Sequence, residues 1–134
     1  MKSLAFLKTH FINDFVLNEF DKLKNCDNEN NKSVLFIDNH ANILENYKLC
    51  DKQRGKMRIT FKNDPIDCFV LDEENFAETG LPYNRQEPKN DYFCGLMWFF
   101  CDYPIYIMRN AYPDFDYYWQ IESDVFMNGK RYSN

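Results

Sequence analysis

Near its end the chain reads "YYWQIESDVFMNG" (Tyr117 to Gly129), and there two carboxylates, Glu122 and Asp124, stand one residue apart at the close of an aromatic and aliphatic run. Acids so placed repel each other unless a cation lies between them. Residues i and i+2 of a strand point to the same side. If the strand stays extended through Asp124, both carboxylates come close enough to share one ion. Mn2+ and Mg2+ take hard oxygen ligands and keep positions open for phosphate oxygens. A divalent ion there would remove the repulsion and draw a diphosphate to the site. By itself, the three-residue pattern fits an exposed turn opening at Ser123 and Asp124 better than a metal site.

Whether these acids do chemistry depends on the elements that carry them. "SLAFL" (Ser3 to Leu7) reads as a first strand. Ile12, Phe15, Val16, Phe20 and Leu23 then recur at helical spacing, with Asn13 or Asp14 near the N-cap. "NCDNENNK" is a polar loop, and "SVLFID" (Ser33 to Asp38) is an apolar run ending on an acid, the pattern of a strand buried on both faces. "ANILENYKL" (Ala41 to Leu49) predicts a short helix. "MRITF" and "DCFVLDE" are further strands, separated by the turn "KNDP". Thr79 to Asp91 is a proline-bearing loop. The dense apolar stretch Tyr92 to Arg109 predicts a helix broken near Pro104. Tyr117 to Ile121 is the last buried strand. Strand, helix, strand, helix implies βαβ units, hence an α/β fold with a mostly parallel, Rossmann-like sheet flanked by helices, in one domain over residues 1–134.

In an open parallel sheet, ligands bind outside the carboxyl ends of the strands. Three such ends are chemically marked. Thr9 and His10 follow the first strand, Asp38, Asn39 and His40 the second, and Glu122 and Asp124 the last. A βαβ fold brings these ends to one edge. The expectation is a pocket there in which the acids converge near His10 or Asp38.

The acid-x-acid signature at a strand end, preceded by "DYYW", resembles the DxD region of GT-A-fold glycosyltransferases. The likeness is to bacterial glycosyltransferase-like proteins, and it covers about a dozen residues. The βαβ start agrees with the nucleotide-binding half of that fold. The resemblance implies that Glu122 and Asp124 hold a divalent metal (Mn or Mg), and that Thr9 and His10, with Asp38, meet the nucleotide. It implies a nucleotide-diphosphate sugar as partner, for transfer to a surface glycan or lipid-linked acceptor. The first acid is Glu where the family pattern has Asp. Such enzymes also continue well past the acid motif to an acceptor site and catalytic base, whereas Asn134 comes 10 residues after Asp124. A donor-binding half, or a truncated enzyme, is therefore expected, and no catalytic residue is assigned.

The totals narrow the classes. Sixteen basic against 21 acidic residues give a net charge of −5, which offers phosphate backbones no general attraction and argues against nucleic acid. The chain is 45% hydrophobic and 18% aromatic, the composition of a globular core rather than a disordered segment. No run approaches the ~18 apolar residues of a membrane span, and the N-terminus lacks the cleavage site of a signal peptide. The five cysteines form no CxxC, which fits reduced thiols in a cytoplasmic protein better than a zinc site or disulfide framework.

Several residues have ordinary explanations. His10 and His40 fit structural or solvated histidines, Cys94 and Cys101 fit core positions, and Arg85 fits a solvated loop charge. No nucleophile motif of the GxSxG kind supports a hydrolase. The alternative to a glycosyltransferase is a catalytically silent structural or interaction domain. In that case Phe93, Trp98, Phe99 and Tyr103 would form a core or a homo-oligomer contact.

Overall fold

The computed structural model describes residues 1–39, 42–47, 49–53, 55–81 and 102–123. Its strands are β1 (Ser3–Thr9), β2 (Asn31–Asp38), β3 (Leu49–Gln53), β4 (Lys56–Phe61), β5 (Asp64–Leu71) and β6 (Tyr117–Glu122). Its helices are α1 (Asp14–Lys24), α2 (Glu73–Glu78) and α3 (Asp102–Ala111). The strands form one sheet in the order β3-β4-β5-β2-β1-β6. β1 pairs parallel with both β2 and β6, and β2 pairs parallel with β5. β4 runs antiparallel to β3 and to β5, so it alone opposes the other strands. The fold is α/β with a mixed, mostly parallel sheet.

Strand alternation divides the core into two layers. Leu7, Leu35, Ile37, Cys68 and Val70 point to one face and pack under Val16 and Phe20 of α1. Phe6, Val34, Phe36, Phe69 and Leu71 point to the other, under Phe76 of α2 and Ile107 and Met108 of α3. On that second face the rings of Phe6, Phe36 and Phe69 form a row across three strands, with centroids 5.8 and 5.6 Å apart. Both faces of β2 are covered, which is why its sequence runs apolar without alternation.

Local chemistry sets the connections. Asn13 caps α1, its side chain accepting from the Val16 N–H at 2.9 Å. Asp72 and Asn75 form a reciprocal capping box at α2. The β4–β5 hairpin turns on Lys62 and Asn63, both at positive φ, between the paired Phe61 and Asp64. This is the left-handed pair that a two-residue hairpin loop needs to match the strands' twist. Gly55 sits at φ +90 before β4, and a Cβ there would lie 2.8 Å from the Phe69 ring, so both conformation and space require glycine.

Two expectations are corrected. Residues 43–46 form turns rather than a helix, and Leu49 belongs to β3. Asn42 at φ 53 is left-handed, which a right-handed helix does not accommodate. Of the helix expected over Tyr92 to Arg109 and broken near Pro104, residues 92–101 lie outside the described residues; Pro104 itself lies in the first turn of α3, where a proline removes no intrahelical hydrogen bond. The strand Tyr117–Glu122 is parallel, as expected, but not buried. Among the described strands it ends the sheet, with Tyr117 50% and Trp119 61% exposed. Residues Trp98 and Phe99, Cys94, Cys101, Arg85 and His40 lie outside the described residues. No described helix is long and apolar enough to cross a membrane.

Two outcomes follow from this core. Phe36 is fully buried between Phe6 and Phe69, so Phe36→Ala is expected to cost about 3–5 kcal/mol, read as a lowered denaturant midpoint. Burial, aided by the charge of Asp67, pushes the Cys68 thiol well above its ordinary 9.0. Burial and the same carboxylate push the Tyr112 phenol well above its ordinary 10.0. The unfolded chain loses these protons first, so the stability they carry is complete below about pH 9 and falls as pH rises further. Alkaline denaturant titrations should show a slope of up to about 1.4 kcal/mol per pH unit for each group, with Cys68→Ala removing its share.

Candidate functional site

The carboxyl edge of the sheet is built around β1. The chain leaves β1 through α1 on one face to reach β2, and it reaches β6 from α3 on the other face. β1 therefore lies where the two directions of winding part, the place at which an open parallel sheet forms a crevice. The register sets Thr9 beside Ile37 of β2 and Lys8 beside Glu122 of β6. Thr9, His10, Asp38 and Glu122 thus stand at the same edge.

Their roles differ. Thr9 is buried, and its hydroxyl donates to the Phe11 carbonyl at 2.6 Å while accepting from the Phe11 N–H at 3.2 Å. That exchange closes the turn into α1. His10 is exposed, its ring edge-on to Phe11 with centroids 5.0 Å apart. Asp38 is buried at the end of β2, and the following Asn39 N–H donates to the Leu71 carbonyl at 2.9 Å. The N-terminus of α1 also opens near this edge, but its first turn carries Asp14, which pairs with Lys62.

Glu122 answers the question that its position raises. Lys8 reaches it across the β1–β6 pairing, Nζ to Oε1 at 3.0 Å, and the Gln120 amide donates to the same oxygen at 3.0 Å. The Lys8 side chain is only 11% exposed and that of Glu122 is 44% exposed. A lysine in a buried strand needs an acid, and β6 supplies one. Asp124 lies outside the described residues. Among the described residues no three His, Cys, Asp or Glu side chains gather as metal ligands. One oxygen of Glu122 is thus engaged by both Lys8 and Gln120.

Residues that carried no expectation complete the edge. Lys8 is one, and its signal was a charge inside the apolar strand "SLAFLKT". Gln120 is the other, and it joins Asn39, which the sequence had marked at the end of β2. The Asn39 Oδ1 and Gln120 Oε1 atoms are buried and accept no hydrogen bond. Such orphaned acceptors cost about 1–3 kcal/mol each. A surface-favouring residue type gives no hint of this in sequence. No family model, curated protein or solved structure matches the chain.

The ion pair can be measured. Lys8→Gln leaves Glu122 without its cation and should cost about 1 kcal/mol by denaturant titration. Because Glu122 is partly solvated, a double-mutant cycle with Glu122→Gln should give a coupling of no more than about 1 kcal/mol.

Proposed function

We propose that the carboxyl edge of β1, β2 and β6 binds a nucleotide-diphosphate sugar, as the donor-binding part of a glycosyltransferase that resembles the GT-A fold. The observation that carries this reading is the placement of β1 between oppositely wound halves. It brings Thr9, His10, Asp38 and Glu122 to one edge together with Lys8. Two features support it. Lys8 is a cation at an edge that also carries the acids Asp38 and Glu122. The orphaned acceptors on Asn39 and Gln120 suit the hydroxyl groups of a ribose or hexose.

In this reading Asp38 and the β1–α1 turn at Thr9 and His10 meet the nucleoside. Lys8 stands near the diphosphate, and Glu122 holds Lys8 in place. A Mn2+ or Mg2+ ion bound by Glu122 and Asp124 would supply further charge for the departing diphosphate. The acceptor is a surface glycan or a lipid-linked molecule. A second reading, a catalytically silent interaction domain, is favoured by one observation. Tyr117 and Trp119 stand half or more exposed on the terminal strand β6.

A thermal-shift titration across nucleotide sugars, with and without Mn2+, separates these readings. Ligand at about ten times its Kd should stabilise the fold by about 1.4 kcal/mol, a rise of roughly 5 °C in Tm. Asp124→Asn should abolish the metal-dependent part while leaving the free protein folded. No shift at millimolar ligand would reject a donor site and leave the interaction reading. A shift that Asp124→Asn does not alter would move binding off the acid pair.

A further inference from the structure

At the other end of β6 lies a cleft of about 610 Å3, between α3 and the strand. About 13 Å of strand separates Tyr118, in its wall, from Glu122, so it is distinct from the carboxyl edge. Its volume is that of a small-molecule pocket. Ile105, Tyr106, Arg109 and Asn110 line it from α3, and Phe115 and Tyr118 from the chain that enters and forms β6.

The aromatic wall is held rigid. The Tyr118 hydroxyl donates to the Tyr112 carbonyl, which holds the ring in place. Phe115 meets the same ring nearly edge-on, at 6.3 Å and 71°. The Arg109 guanidinium lies 6.0 Å from the centroid of that ring. Tyr106, three residues before Arg109 on α3 and so on the same side of the helix, is 48% exposed.

The charge of Arg109 is what makes this more than an apolar hollow. Lys8, Lys22, Lys24, Lys32, Arg58 and Lys62 have carboxylate partners, whereas Lys2 and Lys56 have none among the described residues and Lys56 lies over the Tyr112 ring. Among the described residues no carboxylate lies within ion-pair distance of Arg109, although the chain carries five more acids than bases. A guanidinium stacked on an aromatic face keeps its planar fork of N–H donors for a carboxylate or similar anion. The adjoining Asp114 and Asp116 make a doubly charged group the poorer fit.

The geometry points to a binding site for a flat aromatic ring that carries one carboxylate. The ring lies against Tyr106, Phe115 and Tyr118, and the carboxylate meets Arg109, with Asn110 as a neighbouring donor. The site does not rest on the glycosyltransferase reading, since it shares no residue with the carboxyl edge.

The test is an amide NMR titration of the whole chain with 4-hydroxybenzoate, with 4-hydroxybenzamide and uridine monophosphate in parallel arms. Saturable shifts should cluster at Tyr106, Arg109, Asn110 and Tyr118 with 4-hydroxybenzoate. The neutral amide should bind about tenfold or more weakly, the loss expected of one charge-assisted contact. Arg109→Gln should weaken 4-hydroxybenzoate by a similar factor and leave the amide's affinity unchanged, a comparison that a general loss of folding cannot imitate. Equal affinity for acid and amide, or no clustered shifts at about 10 mM, would overturn the proposal. Tighter binding of the nucleotide at these residues than of 4-hydroxybenzoate would overturn it as well.

Discussion

The structure depends on β1 having a parallel neighbour on each side. Its backbone is paired along Ser3–Thr9 with β2 and along most of that length with β6. A strand so placed loses water from both edges and both faces, so its N–H and C=O groups must be satisfied by those neighbours. Leu4, Phe6 and Leu7 are accordingly fully buried. The same constraint sets the chain's path. α1 must return over one face and α3 over the other for β1 to remain central.

That arrangement has an electrostatic consequence. Lys8 shares a face with Phe6 and Leu4 and so falls on the α3 side of the sheet at the strand's end. Burial of an ammonium requires a nearby carboxylate, and the register delivers Glu122 directly opposite. The terminal strand is thus tied to the centre by a charge pair as well as by its hydrogen bonds. Trp119 and Tyr117 point to the opposite face from Lys8 and remain open to solvent. β6 is held on one side and exposed on the other, and both functional proposals draw on that asymmetry.

The aromatic content has a clear use on the α3 face. Phe6, Phe36 and Phe69 form one row there, and Phe76 stacks on Tyr103 beyond it. Flat rings fill the space between a twisted sheet and short helices with few rotatable bonds, so the layer packs densely at modest entropic cost. Tyr112 closes the amino end, its ring beneath the Lys56 ammonium at 4.4 Å. The same principle, with a rigid ring beside a cation, recurs at Tyr118 and Arg109.

Much of this was legible in the residues. The α1 periodicity and its Asn13 cap, the continuous apolar run of β2, and the parallel α/β class follow from local pattern, because helix spacing and two-sided burial each leave a distinct mark. The set of marked strand ends, Thr9, His10, Asp38 and Glu122, was also visible, since polar residues closing apolar runs stand out. Tertiary structure decided the rest. "ANILENYKL" has helical spacing, yet the left-handed Asn42 and the pairing of Leu49 with Ile59 turn it into a link to the far strand. The apolar sequence of β6 looks buried, but whether a strand is covered depends on which neighbours the chain brings beside it, and among the described strands β6 ends the sheet. The partner of Glu122 was likewise hidden. Lys8 and Glu122 are 114 residues apart, and only the parallel register of β1 with β6 makes them neighbours.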